Sequence, residues 1–180
     1  MENTQVTCIF LEPPGNIQKE LHELRLTYAR HNNNPMIIAF PEVIPLIYNS
    51  VDANIELSNI EKNVRGNVQI IAKPETNKGW NFLPVLLGGV DICKTALMLN
   101  VYSTVNSKVP DSWHIGKLSF GKASSTSCFL GFGNLSEKHQ TISFTSGKLV
   151  KAHVLFLNDQ GTSYAIEILD SLYRKKLKPS

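Results

Sequence analysis

The sequence predicts an α+β fold, and three observations lead to that class. The chain opens with a strand–helix–strand pattern, strand-like segments then outnumber helical ones, and the two kinds do not alternate regularly as in an α/β fold. With 180 residues, of which 42% are hydrophobic, the chain can bury an ordinary globular core. We therefore predict a single domain over residues 1–180, without internal repeats or linkers.

The first three elements come from the N-terminal segment. "TQVTCIFLEPPG" is a predicted strand that ends at a Pro-Pro-Gly turn. The next segment, with Asn16 as its predicted N-cap, carries apolar residues at helical spacing, namely Ile17, Leu21, Leu24 and Tyr28. "NPMIIAFPEVIPLIYN" is then predicted to form a strand over Met36–Phe40 that runs into a proline-broken loop.

The remaining elements are mostly strands. "DANIELSNIEKNV" predicts a short helix, whereas "GNVQIIAKPE", "NFLPVLLGGV" and "TALMLNVYSTV" predict strands, the last with a helix as its alternative. "WHIGKLSFGK" alternates as a half-buried strand does, and "SSTSCFLGFGNLSEKHQ" predicts a loop. "TISFTSGKLVKAHVLFLND" predicts two strands, or one strand bent at Gly147, and the chain ends with a strand or helix and a basic tail.

Composition narrows the class of protein. A net charge of +3 permits an anionic ligand without requiring one. The three cysteines Cys8, Cys93 and Cys128 are widely spaced, so we expect neither a disulfide framework nor a metal site, and we expect no cofactor. The longest apolar run, "FLPVLLGGV", is about half as long as a membrane span. These features predict a soluble, cytoplasmic protein without membrane contact, and they leave the oligomeric state open.

Two histidines are candidates for chemistry. In "WHIGKLSFG", strand alternation would place His114 and Gly116 on one face, where a histidine can act as general acid or base near neutral pH. The alternative is a structural histidine packed beside Trp113. His139 and Thr141 form an H-x-T pattern that could meet one phosphate, with a loop end as the alternative.

Four segments together resemble the two-histidine phosphoesterase superfamily, which includes 2′,5′-RNA-ligase-like proteins and cyclic phosphodiesterases. The resemblance rests on "CIFLEPPGNIQKELHEL", "NPMIIAFPEVIPL", "WHIGKLSFG" and "KAHVLFLNDQGTSYAIEIL", in that order. It implies two pseudo-symmetric lobes of antiparallel sheet, with helices outside, around a central groove. It also implies one H-x-T or H-x-S strand in each lobe, whose histidines serve as base and acid on a 2′,3′-cyclic or 2′,5′-linked phosphate.

Carried onto this sequence, the resemblance implies a degenerate site. The first motif falls on Met36 and Ile38, which can neither transfer a proton nor donate a side-chain hydrogen bond. The second falls on His114 and Gly116, or alternatively on His139 and Thr141. When catalytic groups act as a unit, removal of one group abolishes most of the rate of the reaction. Efficient two-histidine catalysis is therefore not expected.

The expected function is therefore binding of a nucleotide or short RNA in the groove, without efficient catalysis. Lys117 would contact phosphate, and Lys73, Lys78 and Lys122 would be further positively charged residues of the groove. Trp80 or Trp113 would stack on a nucleobase. One alternative is an active phosphodiesterase that uses His114 and a second histidine. The other is a protein-interaction module without a nucleotide ligand, which a groove filled with apolar side chains would favour.

Overall fold

The computed structural model describes residues 3–49, 54–72, 74–93, 109–122 and 141–174. Over these ranges the chain forms two α-helices, α1 (Gly15–His31) and α2 (Leu57–Glu61), and one 3₁₀ helix (Pro35–Ala39). The same ranges contain ten strands, which are β1 (Thr4–Glu12), β2 (Ile44–Asn49), β3 (Val68–Ile71), β4 (Glu75–Asn77), β5 (Trp80–Leu87), β6 (Val90–Asp91), β7 (Lys117–Lys122), β8 (Thr141–Phe144), β9 (Lys148–Phe156) and β10 (Tyr164–Tyr173).

The N-terminal strand and the last two strands belong to one antiparallel sheet, in the order β10-β9-β1-β2. β1 lies in its interior, with Cys8 opposite Tyr48 on one side and Ala152 on the other. Six consecutive residues of β1 are buried, because both faces of this sheet are covered. That arrangement explains why β1 is apolar throughout instead of alternating.

The second sheet is built around β5. β4 and β7 pair with the first half of β5, whereas β3 and β6 pair with its second half, and β8 extends the sheet beyond β3. All of these pairs are antiparallel. β5 is buried almost throughout, which fits its run of apolar residues.

The main core lies between the two sheets and α1. It joins Ile9 and Leu11 of β1 to Leu83 of β5 and Leu118 and Phe120 of β7. The predicted apolar stripe of α1 is buried in this core, and it consists of Ile17, Leu21, Leu24 and Tyr28. A second cluster covers the opposite face of the four-stranded sheet, where it is closed by the segment before β7.

The predicted α+β class is confirmed, and so are most of the predicted elements. The short helix is α2, the final segment forms a strand, and "TISFTSGKLVKAHVLFLND" forms two strands that separate near Gly147. Gly147 has φ +101°, and a Cβ there would lie 2.5 Å from the carbonyl oxygen of Glu12, so the turn requires glycine. The segments "TALMLNVYSTV" and "SSTSCFLGFGNLSEKHQ" lie outside the described residues.

Three local predictions were wrong. The segment from Met36 is a 3₁₀ helix, because Pro35 presets its first turn and the Asn34 side chain accepts the Met36 N–H at 3.2 Å. The strand at "WHIGKLSFGK" begins only at Lys117, since Gly116 has φ +74° and cannot continue a strand. Helix α1 begins two residues earlier than expected, with Pro14 instead of Asn16 at its N-cap.

No helix in the described ranges combines the length and the apolar character that a membrane crossing requires. Within the same ranges, no three histidine, cysteine, aspartate or glutamate side chains gather closely enough to suggest a metal centre.

Candidate functional site

The two segments that were expected to carry the motifs, the 3₁₀ helix and the segment around His114, are in contact. Ile37 of the 3₁₀ helix packs against Gly121 of β7, where an added Cβ would lie 2.8 Å from the Ile37 Cγ1 atom. The Gly116 N–H donates a hydrogen bond of 2.7 Å to the carbonyl of Pro45 in β2. The segment around His114 therefore joins the edge of one sheet to the other sheet, and the expected groove should lie at this junction.

A shallow depression marks the junction, and its floor is very small. Its cavity volume is about 10 Å³, which is room for roughly one water molecule. A phosphate group has five heavy atoms and would not be enclosed by that volume. The residues that line it are largely apolar and come from both segments, namely Phe40, Pro41, Val43, Pro45, Ser112, Trp113, Lys117 and Ser119.

The first-motif positions lie on the surface beside this depression instead of lining it. The side chains of Met36 and Ile38 are 45% and 37% exposed, whereas Ile37 between them is buried. The 3₁₀ helix has three residues per turn, so its successive side chains point in three different directions and only Ile37 of these three faces the core.

Both tryptophans are core residues. Trp113 is buried, with ring centroids 5.1 Å from Phe156 and 5.3 Å from Tyr164, and its indole N–H donates to the Gly161 carbonyl at 3.0 Å. Trp80 is buried edge-on against Phe40 at 5.8 Å. Because neighbouring aromatic rings cover them, neither indole offers an open face on which a nucleobase could stack.

His114 is half-buried, and its ring packs 5.4 Å from that of Phe82. Burial lowers the pKa of His114 below its usual value, and the positive charges of Lys117 and Lys78 lower it further, against smaller opposing effects of Glu75 and Asp111. A histidine with a lowered pKa is neutral at pH 7.

The charges around His114 cancel. Lys117 forms an ion pair with Glu75, and the Lys78 ammonium lies 3.4 Å from the Asp111 carboxylate. Among the described residues that act on His114, two positive and two negative groups therefore balance, which gives no net attraction for a phosphate.

Gly116 has a structural role that accounts for its lack of a hydroxyl. With φ +74°, it adopts a conformation that other residues rarely adopt. A Cβ there would also lie 2.7 Å from the backbone of Cys93. Serine or threonine, the residue types of the family motif, could not occupy this position without moving one of the two segments.

The alternative second motif is only partly described. His139 lies outside the described residues. Thr141 opens β8, opposite Ile71, and is exposed. β8 is separated from β5 by β3, and Thr141 is not among the residues that line the depression.

A buried arginine at the junction was missed by the sequence analysis. Arg25 of α1 is fully buried and donates hydrogen bonds to the carbonyls of Phe40 (2.7 Å) and Ser119 (2.6 Å) and to the Glu42 carboxylate (3.1 Å). It thereby connects α1 to β7 and to the loop that precedes β2. Its position four residues after Leu21, on the apolar stripe, was the signal that could have identified it.

A second feature missed from the sequence is an exposed apolar strip on β10, made of Ile168, Leu169 and Tyr173. These side chains are 59%, 43% and 75% exposed. The register shifts between Ile168 and Asp170, so β10 contains a bulge there. Tyr164 and Ile166, earlier on the same strand, pack against the second cluster, and the strip continues that apolar face into solvent.

No protein-family model, curated protein or solved structure matches the chain. The resemblance to the two-histidine phosphoesterases therefore stays a prediction, as does its nucleotide ligand.

Proposed function

We propose that the chain works as a non-catalytic protein-interaction module whose contact surface is the strip on β10. The observation that carries this proposal is the exposure of three large apolar side chains on one strand, with Ile168 and Leu169 at the bulge and Tyr173 at the end of β10. Isolated apolar residues are common on protein surfaces, whereas a contiguous group often marks a contact site. Full burial of one such side chain contributes about 1.5–3 kcal/mol, so the strip can contribute much of the binding free energy.

The junction between the sheets supports this function over nucleotide binding. In the proposal the two sheets correspond to the two lobes that the family resemblance implies, with the depression as their closed groove. Its floor has room for about one water molecule, apolar side chains form most of its wall, and the charges near His114 cancel. Binding of a partner at β10 does not require the depression to widen or its charges to change.

Charge identifies the kind of partner. Glu167 and Asp170 flank the strip and are both exposed, and the Glu167 carboxylate lies 3.4 Å from the imidazole of His153. These two acidic groups lie on either side of Ile168 and Leu169 along β10, whereas the Tyr173 ring has the Lys148 ammonium 6.0 Å from its centre. We therefore propose a polypeptide segment with apolar side chains next to lysine or arginine as the partner.

A second copy of the chain fits the strip less well. Two β10 strands in antiparallel contact would bring their acidic residues together, and like charges on paired strands are destabilising. The bulge between Ile168 and Asp170 also interrupts the edge that such pairing would use. The bulge and the charges leave the apolar side chains available to a basic partner.

Calorimetric titration with a synthetic ten-residue peptide of alternating valine and lysine tests the proposal. We expect saturable binding to the wild-type chain, although the overall positive charges of the peptide and the chain oppose it. The double variant Glu167→Lys, Asp170→Lys should lose this binding. The matched double variant Glu23→Lys, Glu56→Lys changes the net charge equally at exposed sites elsewhere and should retain it.

Two further titrations, with a control peptide and with a nucleotide, complete the test of the proposal. A peptide of alternating valine and glutamate should not bind. If the lysine peptide fails to bind wild type, or binds both double variants equally, the proposal is wrong. Saturable binding of a 2′,3′-cyclic nucleotide that His114→Ala abolishes would instead favour the nucleotide-binding alternative.

A further inference from the structure

β10 is an edge strand in the part of the chain that the structure describes. It pairs with β9 on one side, and no described strand lies on its other side. At the turn between β9 and β10, the Leu157 N–H donates to the Ser163 carbonyl at 2.9 Å, so these two residues form a hydrogen-bonded pair. Hydrogen-bonded and non-bonded pairs alternate along an antiparallel ladder, and this pair therefore fixes the direction of the amides that follow in β10.

The alternation turns every second amide of β10 away from β9. Ala165 and Glu167 lie at even spacing from Ser163, so they occupy hydrogen-bonded positions and their amides face β9. Ile166 and Ile168 occupy the non-bonded positions, so their N–H and C=O groups face outward. A strand edge that presents donors and acceptors in this way is a template on which an extended peptide can add as a further strand.

The side chains along this edge differ between the two faces of the sheet. Ile166 packs against the second apolar cluster, and Ile168 lies on the same face because side chains alternate along a strand. Glu167 lies between them and faces the opposite side, where its carboxylate is 3.4 Å from the His153 imidazole. An added strand would therefore match this edge best with apolar residues on one face and a basic residue on the other.

We propose that the partner binds as an antiparallel strand along the outer edge of residues 164–168, with apolar and basic residues in alternation. This inference rests on the proposed function and adds how the partner pairs with β10. The antiparallel direction continues that of the whole sheet, and antiparallel pairing is slightly the more stable. The bulge after Ile168 ends the regular edge, so the paired segment is short.

This pairing determines which N–H groups of the partner are used. In an antiparallel sheet, residues directly opposite each other have side chains on the same face, and a hydrogen-bonded pair exchanges both of its bonds. The apolar residues of the partner lie opposite Ile166 and Ile168, so they donate their N–H groups to β10. The basic residue lies opposite Glu167, and its N–H faces solvent.

Two N-methylated forms of the valine–lysine peptide test this geometry by calorimetric titration. One form is methylated at the backbone nitrogens of its valines and the other at those of its lysines, so the two have the same composition and charge. Methylation of the valines should weaken binding at least tenfold, because the hydrogen bonds to β10 are lost. Methylation of the lysines should leave the affinity within about twofold of that of the parent peptide, because those N–H groups make no bond to the protein.

The same titrations separate this inference from the proposed function. If both methylated peptides bind as the parent peptide does, the strip is a contact surface but no strand is added, and the inference is wrong. Loss of binding on methylation of the lysines alone would show the opposite use of the N–H groups and would also overturn it. If the parent peptide does not bind, the proposed function and this inference are both wrong.

Discussion

At the scale of single residues, the residues at the junction between the sheets have structural roles. Arg25, Gly116 and Ser119 each bring two elements into contact. His114 and Trp113 are held against aromatic neighbours. Of the residues that were expected to bind a ligand, Gly116, His114 and Trp113 make contacts that stabilise the fold, and substitutions there should change stability first.

Gly116→Ala should lower the free energy of unfolding by about 1–3 kcal/mol, because its Cβ meets the Cys93 backbone and its φ is positive. Gly88→Ala is the matched control, since Gly88 also has a positive φ but an added Cβ would meet nothing within 4 Å. Urea unfolding of both variants measures the difference. Equal losses would show that the contact with Cys93 does not constrain position 116.

Arg25→Met should cost about 3–5 kcal/mol of folding stability, because it removes the hydrogen bonds to the Phe40 and Ser119 carbonyls and the buried cation beside Glu42. Arg30→Met, at an exposed position on the same helix, should change stability by less than about 0.5 kcal/mol. Chemical denaturation of both variants tests this. A loss at position 25 no larger than at position 30 would contradict the assigned role.

His114 should make stability depend on pH. Its pKa is lower in the folded state, so the unfolded state takes up its proton first as pH falls. Its contribution is therefore fully present above about pH 6.5 and decreases as pH falls through that value toward the folded pKa. Tm measured between about pH 7 and pH 5 should fall less steeply in His114→Gln than in wild type. Parallel curves would contradict the lowered pKa.

At the scale of elements, strands and helices whose apolar pattern is strong were predictable. The stripe of α1 and the apolar run of β1 gave the correct type of structure. The prediction failed at the 3₁₀ helix, where the apolar run Met36–Phe40 matches a strand equally well, and Pro35 and the hydrogen bond that the Met36 N–H donates to the Asn34 side chain favour the helix. Periodicity contains no information about such a local bond.

The candidate site was less predictable for a related reason. Trp80 and Trp113 were expected to stack on a nucleobase, but whether a tryptophan faces solvent or a Phe156 ring depends on contacts distant in sequence. The strip on β10 could be suspected only after the final segment was known to be an edge strand. A helix, its alternative, would have distributed the same residues over different faces.

Ile168→Gln should separate binding from stability on β10. Because Ile168 is 59% exposed, its replacement should change the free energy of unfolding by less than about 0.5 kcal/mol. The valine–lysine peptide should bind this variant at least tenfold more weakly, since an apolar contact is lost. Val90→Gln, an exposed apolar residue on the other sheet, is the control for calorimetry and should bind as wild type does. Unchanged affinity of Ile168→Gln would remove the strip from the contact surface.

At the scale of the whole molecule, the two sheets share one core through Arg25 and the apolar residues of β1, β5 and β7. Their junction is closed by Trp113 and by the hydrogen bond from Gly116 to Pro45. The exposed strip lies farther along β10, whose first residue, Tyr164, contacts Trp113 at the junction. The account therefore places binding on the outer face of a sheet and assigns the junction a structural role.

Hydrogen–deuterium exchange of the intact chain with the valine–lysine peptide tests this central claim most directly. Bound peptide should slow exchange in fragments that cover Tyr164–Tyr173 and leave fragments that cover residues 36–45 and 113–122 unchanged. Slowed exchange at the junction, with β10 unchanged, would contradict the account.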